Sequence, residues 1–230
     1  SLMQLTLLLV NFFLITIISR VYGAEIYGEY ASSKSLSVLI GTAIVMSLAL
    51  VVTKFLAQKN ESSKLMFQNA YSLILRNLML SFIILIPLTL FLKRDLPMTI
   101  LFLIGFVFNE MIHVALAYYQ AKGDFVTSSK QIMLRTIIYG LGAWILVTQG
   151  FSILSLIMFQ VITLVSFFAV AHFSIPKNDI DLNSNKSVKN NLQASGKKMV
   201  LTTFSSALIS ELDIVLLGLF YSGSVLGVLA

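Results

Sequence analysis

The chain has 230 residues, of which 57% are hydrophobic and 11% are charged, and it contains no cysteine. Soluble domains are about 45–50% apolar and about 25% charged, so this composition excludes a soluble globular domain and a disordered chain. Without thiols, disulfides and cysteine chemistry are excluded too. The formal net charge of +6 is typical of basic loops beside a membrane, and no nucleic-acid partner is predicted. The composition therefore predicts an integral membrane protein.

Apolar runs of about 20 residues recur along the chain, which is the length at which an α-helix crosses a bilayer. Because the alternating blocks of an outer-membrane barrel are missing, the predicted fold class is all-α, a polytopic transmembrane helix bundle. The predicted spans are 2–19, 36–55, 71–92, 98–119, 132–148, 151–173 and 200–221, with an eighth beginning near Val225. Since the chain starts without Met and ends within an apolar run, we expect an N-terminal fragment of a two-lobe transporter.

The distribution of Lys and Arg predicts the orientation of these spans. The connections after spans two, four and six hold most of the basic residues, and basic residues favour the cytoplasmic side, so we expect a cytoplasmic N-terminus. Residues 174–199 are polar and offer little to bury, which predicts a flexible cytoplasmic linker. The expected organisation is a six-span lobe over 1–173, this linker, and the start of a truncated C-terminal lobe over 200–230.

Ionisable residues within the spans are candidates for function, because a charge in hydrocarbon is costly. In span four, Asn109, Glu110 and His113 lie near one helix face. The Glu110–His113 pair predicts a proton relay or cation site, or else a structural tie to a neighbouring span. In span seven, Glu211 and Asp213 point to nearly opposite sides, which excludes a paired-carboxylate acid–base site. Both are gating candidates, and Asp213 is favoured.

Basic and amide side chains near or within the spans predict a cationic cavity. Arg76 and Arg135 fall near the cytoplasmic ends of spans three and five, and Arg20 ends span one on the outer side. A guanidinium group matches the geometry of a phosphate, although each arginine alone is also explained by snorkelling to the headgroups. Asn11 in span one either lines the cavity or forms an interhelical hydrogen bond.

Signatures of enzymes and metal sites are missing from the sequence. There is no Gly-rich phosphate loop with Lys, no G-x-S-x-G and no H-E-x-x-H. The two histidines, His113 and His172, are too few for a His-rich metal site. We therefore predict no catalytic residue, no metal, no cofactor and no enzymatic activity.

Residues 20–30, Arg-Val-Tyr-Gly-Ala-Glu-Ile-Tyr-Gly-Glu-Tyr, resemble the first outer loop of the polysaccharide-transport flippases. These are the Wzx-type O-antigen and exopolysaccharide translocases of the MOP (MATE-like) superfamily. Their usual form is Arg, a short gap, Leu-Gly-Pro, two residues and Tyr-Gly; Tyr22 replaces the Leu and Ala24 the Pro. Residues 211–218 and 224–227 resemble the start of that family's second half, with Leu229 where a Tyr is often expected.

This resemblance implies two six-span bundles that move an undecaprenyl-pyrophosphate-linked oligosaccharide to the outer leaflet by alternating access. The implied site is a basic cavity, for which Arg20, Arg76 and Arg135 are candidates, with Glu110 and Asp213 as candidates for H⁺ or Na⁺ coupling. The implied partners are the lipid-linked oligosaccharide, membrane lipids and the polymerase or export machinery. The implied location is the bacterial cytoplasmic (inner) membrane.

Three other functional classes remain open from the sequence. One is a nontransporting scaffold, which only assays can exclude. A MATE-type cation-coupled multidrug antiporter belongs to the same superfamily, but it predicts acidic residues in span one, which has none. A multi-span glycan polymerase or ligase predicts a sizeable outer loop carrying catalytic groups, whereas the predicted outer loops are short.

Overall fold

A computed structural model describes residues 2–45, 48–58, 63–175 and 186–220. Within these ranges every regular element is an α-helix. The helices are α1 (Leu2–Val45), α2 (Leu48–Ala57), α3 (Ser63–Phe91), α4 (Leu96–Ala121), α5 (Phe125–Thr148), α6 (Ile153–Phe173) and α7 (Lys186–Phe220). The predicted fold class, an all-α helix bundle, is confirmed.

Helix α1 consists of two antiparallel arms that meet at Gly23. The backbone there has φ 82° and ψ 167°, a conformation that only glycine adopts readily. Asn11 and Lys34 line one cavity, yet a straight helix would hold them about 35 Å apart at 1.5 Å per residue. The chain therefore turns back at Gly23, and we call residues 2–22 the first arm and residues 24–45 the second arm.

The second predicted span has different bounds in the structure, because the second arm is helical directly after Gly23 and α2 follows it as a separate helix. The hydropathy of residues 24–35 is too low to predict a span. In the structure, however, several of their polar side chains are buried, including Ser32, Ser33 and Ser35. The Ser32 hydroxyl donates to the carbonyl of Glu29 (3.1 Å), and such bonds let small polar residues sit inside a helix.

The segment predicted to be a flexible linker is helical from Lys186 onward, and its role as a linker remains a prediction. This part of α7 is mostly polar, but Leu192 is fully buried in a core cluster with Met66 and Phe67, and Met199 packs against that cluster. A few apolar contacts thus order a segment whose composition suggests disorder. The division of the chain into lobes remains a prediction, and the predicted eighth span lies outside the described residues.

Helix α4 is the centre of the bundle, since it packs against α1, α2, α3, α5 and α6. Its start is defined by Asp95, whose carboxylate accepts a hydrogen bond from the Met98 backbone N–H (2.7 Å), with Pro97 in the first turn. Both are typical of a helix N-terminus. Packing on nearly all sides fixes the rotation of α4, and this rotation determines where its polar residues point.

Short connections join the following helices. Gly123 (φ 79°) lies in the connection between α4 and α5, and Gly150 (φ 75°) lies in the connection between α5 and α6. Asp124 then caps α5 by accepting from the Thr127 backbone N–H (3.0 Å), and Thr127 holds the pKa of Asp124 below its ordinary value. Ser152 caps α6 in the same way. Because the connections are this short, α4, α5 and α6 lie next to one another in antiparallel order.

The outer surface of the bundle is apolar. Large hydrophobic side chains point outward, for example Phe12 (70% exposed) and Phe91 (79%). Among the described residues, five helices are long and apolar enough to cross a membrane: α1, α3, α4, α5 and α6. An exposed apolar surface around helices of this length needs lipid to cover it, and the protein is a multi-pass membrane protein.

Candidate functional site

A cavity of about 260 Å³ lies between both arms of α1 and helices α4, α5 and α6. Its polar lining consists of Asn11, Lys34, Asn109, Arg135, Thr136, Tyr139, Gln160 and Thr163. Lys34 and Arg135 carry positive charges, and none of the described residues that line the cavity is acidic. We call it the cationic cavity. Asn11, Asn109 and Arg135 each fall near the middle of their helical segments, so the cavity lies at mid-depth in the bundle.

Arg135 lies deeper than its predicted place near a cytoplasmic helix end. Helix α5 begins at Phe125, several residues before the predicted span, so Arg135 occupies its middle. Its Nη1 donates to Asn109 Oδ1 (2.7 Å), the one hydrogen bond of this guanidinium among the described residues. Asn109 orients the guanidinium without neutralising it, because an amide carries no charge. The remaining N–H donors are therefore left for a ligand.

Lys34 is a cavity residue that the sequence did not predict as one. It falls in the predicted loop between spans one and two, where its charge counts toward orientation only. The hairpin at Gly23 brings Lys34 and Val38 of the second arm to the cavity that Leu7 and Asn11 of the first arm also line. Lys34 can be placed there only once the turn is known.

A second cavity of about 350 Å³ lies between the second arm, α2, α4 and α7. Its lining residues are Thr42, Ala49, Leu50, Phe106, Glu110, His113, Gln120 and Thr203. We call it the Glu110 cavity. Glu110 and His113 share it, as their spacing predicts. The prediction that Asn109 lies on the same face is wrong, because successive side chains on an α-helix point about 100° apart and Asn109 lines the cationic cavity instead. The structure gives Glu110 no hydrogen bond or ion pair within the described residues.

The other predicted site residues lie away from the cationic cavity. Arg20 is exposed at the end of the first arm, and Arg76 is exposed on α3, where it contacts Asn77 Oδ1 at 3.4 Å. Glu211 accepts a hydrogen bond from the Ser35 hydroxyl (2.5 Å), which joins α7 to the second arm. Asp213 is exposed. The predicted functions of all four remain predictions.

The cationic cavity thus brings together two of the four predicted substrate-binding residues, Asn11 and Arg135, and adds Lys34 and Asn109. Two cations without a carboxylate attract an anion, and the guanidinium fork prefers a phosphate or carboxylate. Among the described residues, no group of three or more His, Asp and Glu side chains comes together to hold a metal ion. The two cations of the cavity can bind an anion.

Comparison with known proteins identifies the family. No curated protein and no solved structure matches this chain significantly. A family model described as "Polysaccharide biosynthesis protein" matches residues 62–230, most of the chain. The matched range includes the second stretch on which the sequence resemblance rests but begins after the first, at residues 20–30. The resemblance to the polysaccharide-transport family is confirmed, and the chain belongs to the polysaccharide biosynthesis protein family.

Proposed function

We propose that this protein is a flippase that moves an undecaprenyl-pyrophosphate-linked oligosaccharide across the bacterial cytoplasmic membrane by alternating access. The observation that carries the proposal is the cationic cavity at mid-depth in the bundle, where Lys34 and Arg135 face one space that no described carboxylate lines. Charges in membrane spans are costly and are retained for a ligand or a pathway. A diphosphate is an anion with the charge and oxygen geometry that two such cations bind.

The size of the cavity indicates which part of the substrate it holds. Sites for drug-sized ligands have about 300–1,000 Å³, and the cationic cavity has about 260 Å³. An oligosaccharide of several sugars needs more room than this, whereas a diphosphate group needs less. The proposed site therefore holds the charged headgroup, and the sugars extend beyond it.

The short connections support a transporter over a glycan polymerase. The predicted outer side has only the turn at Gly23, residues 92–95 and residues 149–152 among the described residues. A polymerase or ligase needs an outer loop large enough to hold sugar acceptor, acid and base. The predicted orientation, which puts these three connections on the outer side, also places the N-terminus in the cytoplasm.

Substituting the two cations in the full-length protein tests the proposal. We expect Lys34→Gln and Arg135→Gln to make the host accumulate complete undecaprenyl-linked oligosaccharide and lose surface polysaccharide. Lys130→Gln is the matched control. Lys130 is exposed on the same helix as Arg135, and its substitution removes the same charge outside the cavity. All three variants must be present in the membrane at wild-type amounts.

Three outcomes separate the proposal from its alternatives. Unchanged lipid-linked units and surface glycan in both cavity variants would contradict the proposed site. Unchanged glycan with altered drug sensitivity would indicate the cation-coupled antiporter. Single units that reach the outer face but never lengthen would indicate the polymerase.

A further inference from the structure

One aromatic side chain lines both cavities. Phe106 of α4 is a lining residue of the cationic cavity and of the Glu110 cavity. Its ring packs against the backbone of Gly41 in the second arm, where an added Cβ would lie 2.5 Å from Phe106 Cδ1. We call this shared side chain the wall between the cavities.

Consecutive residues of α4 face opposite sides of this wall. Successive side chains on an α-helix point about 100° apart, so Asn109 reaches Arg135 in the cationic cavity while Glu110 points into the other cavity. Asn109, which accepts the hydrogen bond of Arg135, is the chain neighbour of Glu110. A change of charge beside Arg135 is therefore felt in the Glu110 cavity, because apolar surroundings screen charges weakly.

Within the part of the chain that the structure describes, no partner compensates the charge of Glu110. None of the described residues forms a hydrogen bond or ion pair with its carboxylate, and the cavity residues from α1, α2 and α7 are not titratable. His113 is the titratable neighbour on α4 itself, and Arg135 of α5 is the charge across the wall. The titratable groups of α3 and α6 that approach α4, Tyr71 and His172, contact each other (3.4 Å) and do not line this cavity.

We propose that Glu110 is a proton-binding site whose occupancy is linked to anion binding in the cationic cavity across Phe106. The proposal rests on the proposed function only in that the cationic cavity binds an anion. A negative charge beside Arg135 makes a proton on Glu110 more favourable, so anion binding takes up a proton. By reciprocity, protonation of Glu110 strengthens anion binding by the same factor.

Sulfate is the probe for this linkage, because its charge does not change over the pH range in which carboxylates and histidines titrate. Sulfate is added to the full-length protein in weakly buffered detergent solution, and a pH indicator reports proton uptake. We expect uptake in the wild type and its loss in Glu110→Gln, which still binds sulfate but with an affinity that no longer depends on pH. Glu25→Gln is the matched control, because Glu25 is an exposed carboxylate beside the turn of α1.

Uptake that persists in Glu110→Gln, or that is lost in His113→Gln instead, would overturn the proposal. A second measurement does not depend on the anion. As the pH falls, the infrared difference spectrum between wild type and Glu110→Gln should contain the C=O stretch of one protonated carboxyl, which we call the Glu110 band. If the wild type binds no sulfate but the Glu110 band appears, the proposed anion site fails and the proton site stands. If the Glu110 band does not appear, the proton site fails.

Discussion

Asn109 is the residue that leaves the charge of Arg135 available. It accepts a hydrogen bond from the guanidinium at 2.7 Å and so orients it, but an amide cannot neutralise it. A carboxylate in this place would form an ion pair and remove one of the two positive charges from the cavity. The ability of the site to bind an anion therefore depends on Asn109 being an amide, although an aspartate would fit the same position.

Asn109→Asp tests this argument with a change of almost no volume. We expect the new carboxylate to pair with Arg135 and to weaken sulfate binding by the purified full-length protein about tenfold or more, which corresponds to about 1.4 kcal/mol. Asn191→Asp is the control. Asn191 is exposed on α7, and its substitution adds the same charge away from the cavity. Equal sulfate affinity of Asn109→Asp and the wild type would show that Arg135 does not bind the anion.

Asp124 gives a second residue-scale prediction, on the pH dependence of stability. Thr127 holds the pKa of this carboxyl below its ordinary value of 3.8. A group whose pKa is lower in the folded state stabilises the fold above its unfolded pKa, and this contribution is lost as the pH falls through the folded value. In Asp124→Asn, the amide still caps α5 but does not titrate.

Thermal unfolding in detergent, followed from neutral pH down into this acidic range, measures the effect. We expect the difference in melting temperature between wild type and Asp124→Asn to be constant at neutral pH and to shift against the wild type in acid. A difference that stays constant through the acidic range would show that Asp124 makes no ionised contact in the folded state.

The turn at Gly23 is the element-scale feature on which the cationic cavity depends. Gly23→Ala places a Cβ on a backbone with φ 82° and ψ 167°, which costs about 1–3 kcal/mol. We expect a lower melting temperature in detergent.

Gly105→Ala is the control, since this glycine is helical and an added Cβ would meet Leu164 Cδ1 at an ordinary 3.5 Å. It should leave stability unchanged or raise it by up to about 1 kcal/mol.

If Gly23→Ala is as stable as the wild type, the arms do not depend on this backbone conformation, and the assignment of Lys34 to the cavity weakens with it. If Gly105→Ala is destabilised as much as Gly23→Ala, the loss reflects glycine replacement in general and not the turn.

Hydropathy predicts the helices that face lipid and misses those that face protein. Spans three to six are recovered because their outward residues, such as Phe91, are apolar. The second arm and the beginning of α7 are missed because their polar residues are mixed with a few buried positions, such as Ser33 and Leu192. The same difference in hydropathy decides which of the cavity residues could be predicted from the sequence. Arg135 and Asn11 stand out within apolar runs, whereas Lys34 needs the turn at Gly23 before it can be placed.

Among the described residues, α1 and helices α3 to α6 are the helices long and apolar enough to cross the membrane, and both cavities are arranged along α4. The cationic cavity includes Leu101 and Phe102 from the first half of α4, and the Glu110 cavity extends to Gln120 near its end. In the predicted orientation, the end of α4 faces the cytoplasm. The Glu110 cavity then lies toward the cytoplasm, with the cationic cavity at mid-depth.

Cysteine labelling tests both the hairpin and the orientation, because the chain has no cysteine of its own. We expect a membrane-impermeant thiol reagent added to intact cells, with the outer membrane permeabilised, to label Glu25→Cys and Gln149→Cys but not Gln58→Cys or Lys130→Cys. All four positions are exposed in the structure. After the inner membrane is opened, the last two should react as well. The reverse pattern would place the N-terminus outside. Failure of Glu25→Cys to react, while Gln149→Cys does, would contradict a turn at the outer surface, because an uninterrupted α1 of about 65 Å would hold this position within the bilayer.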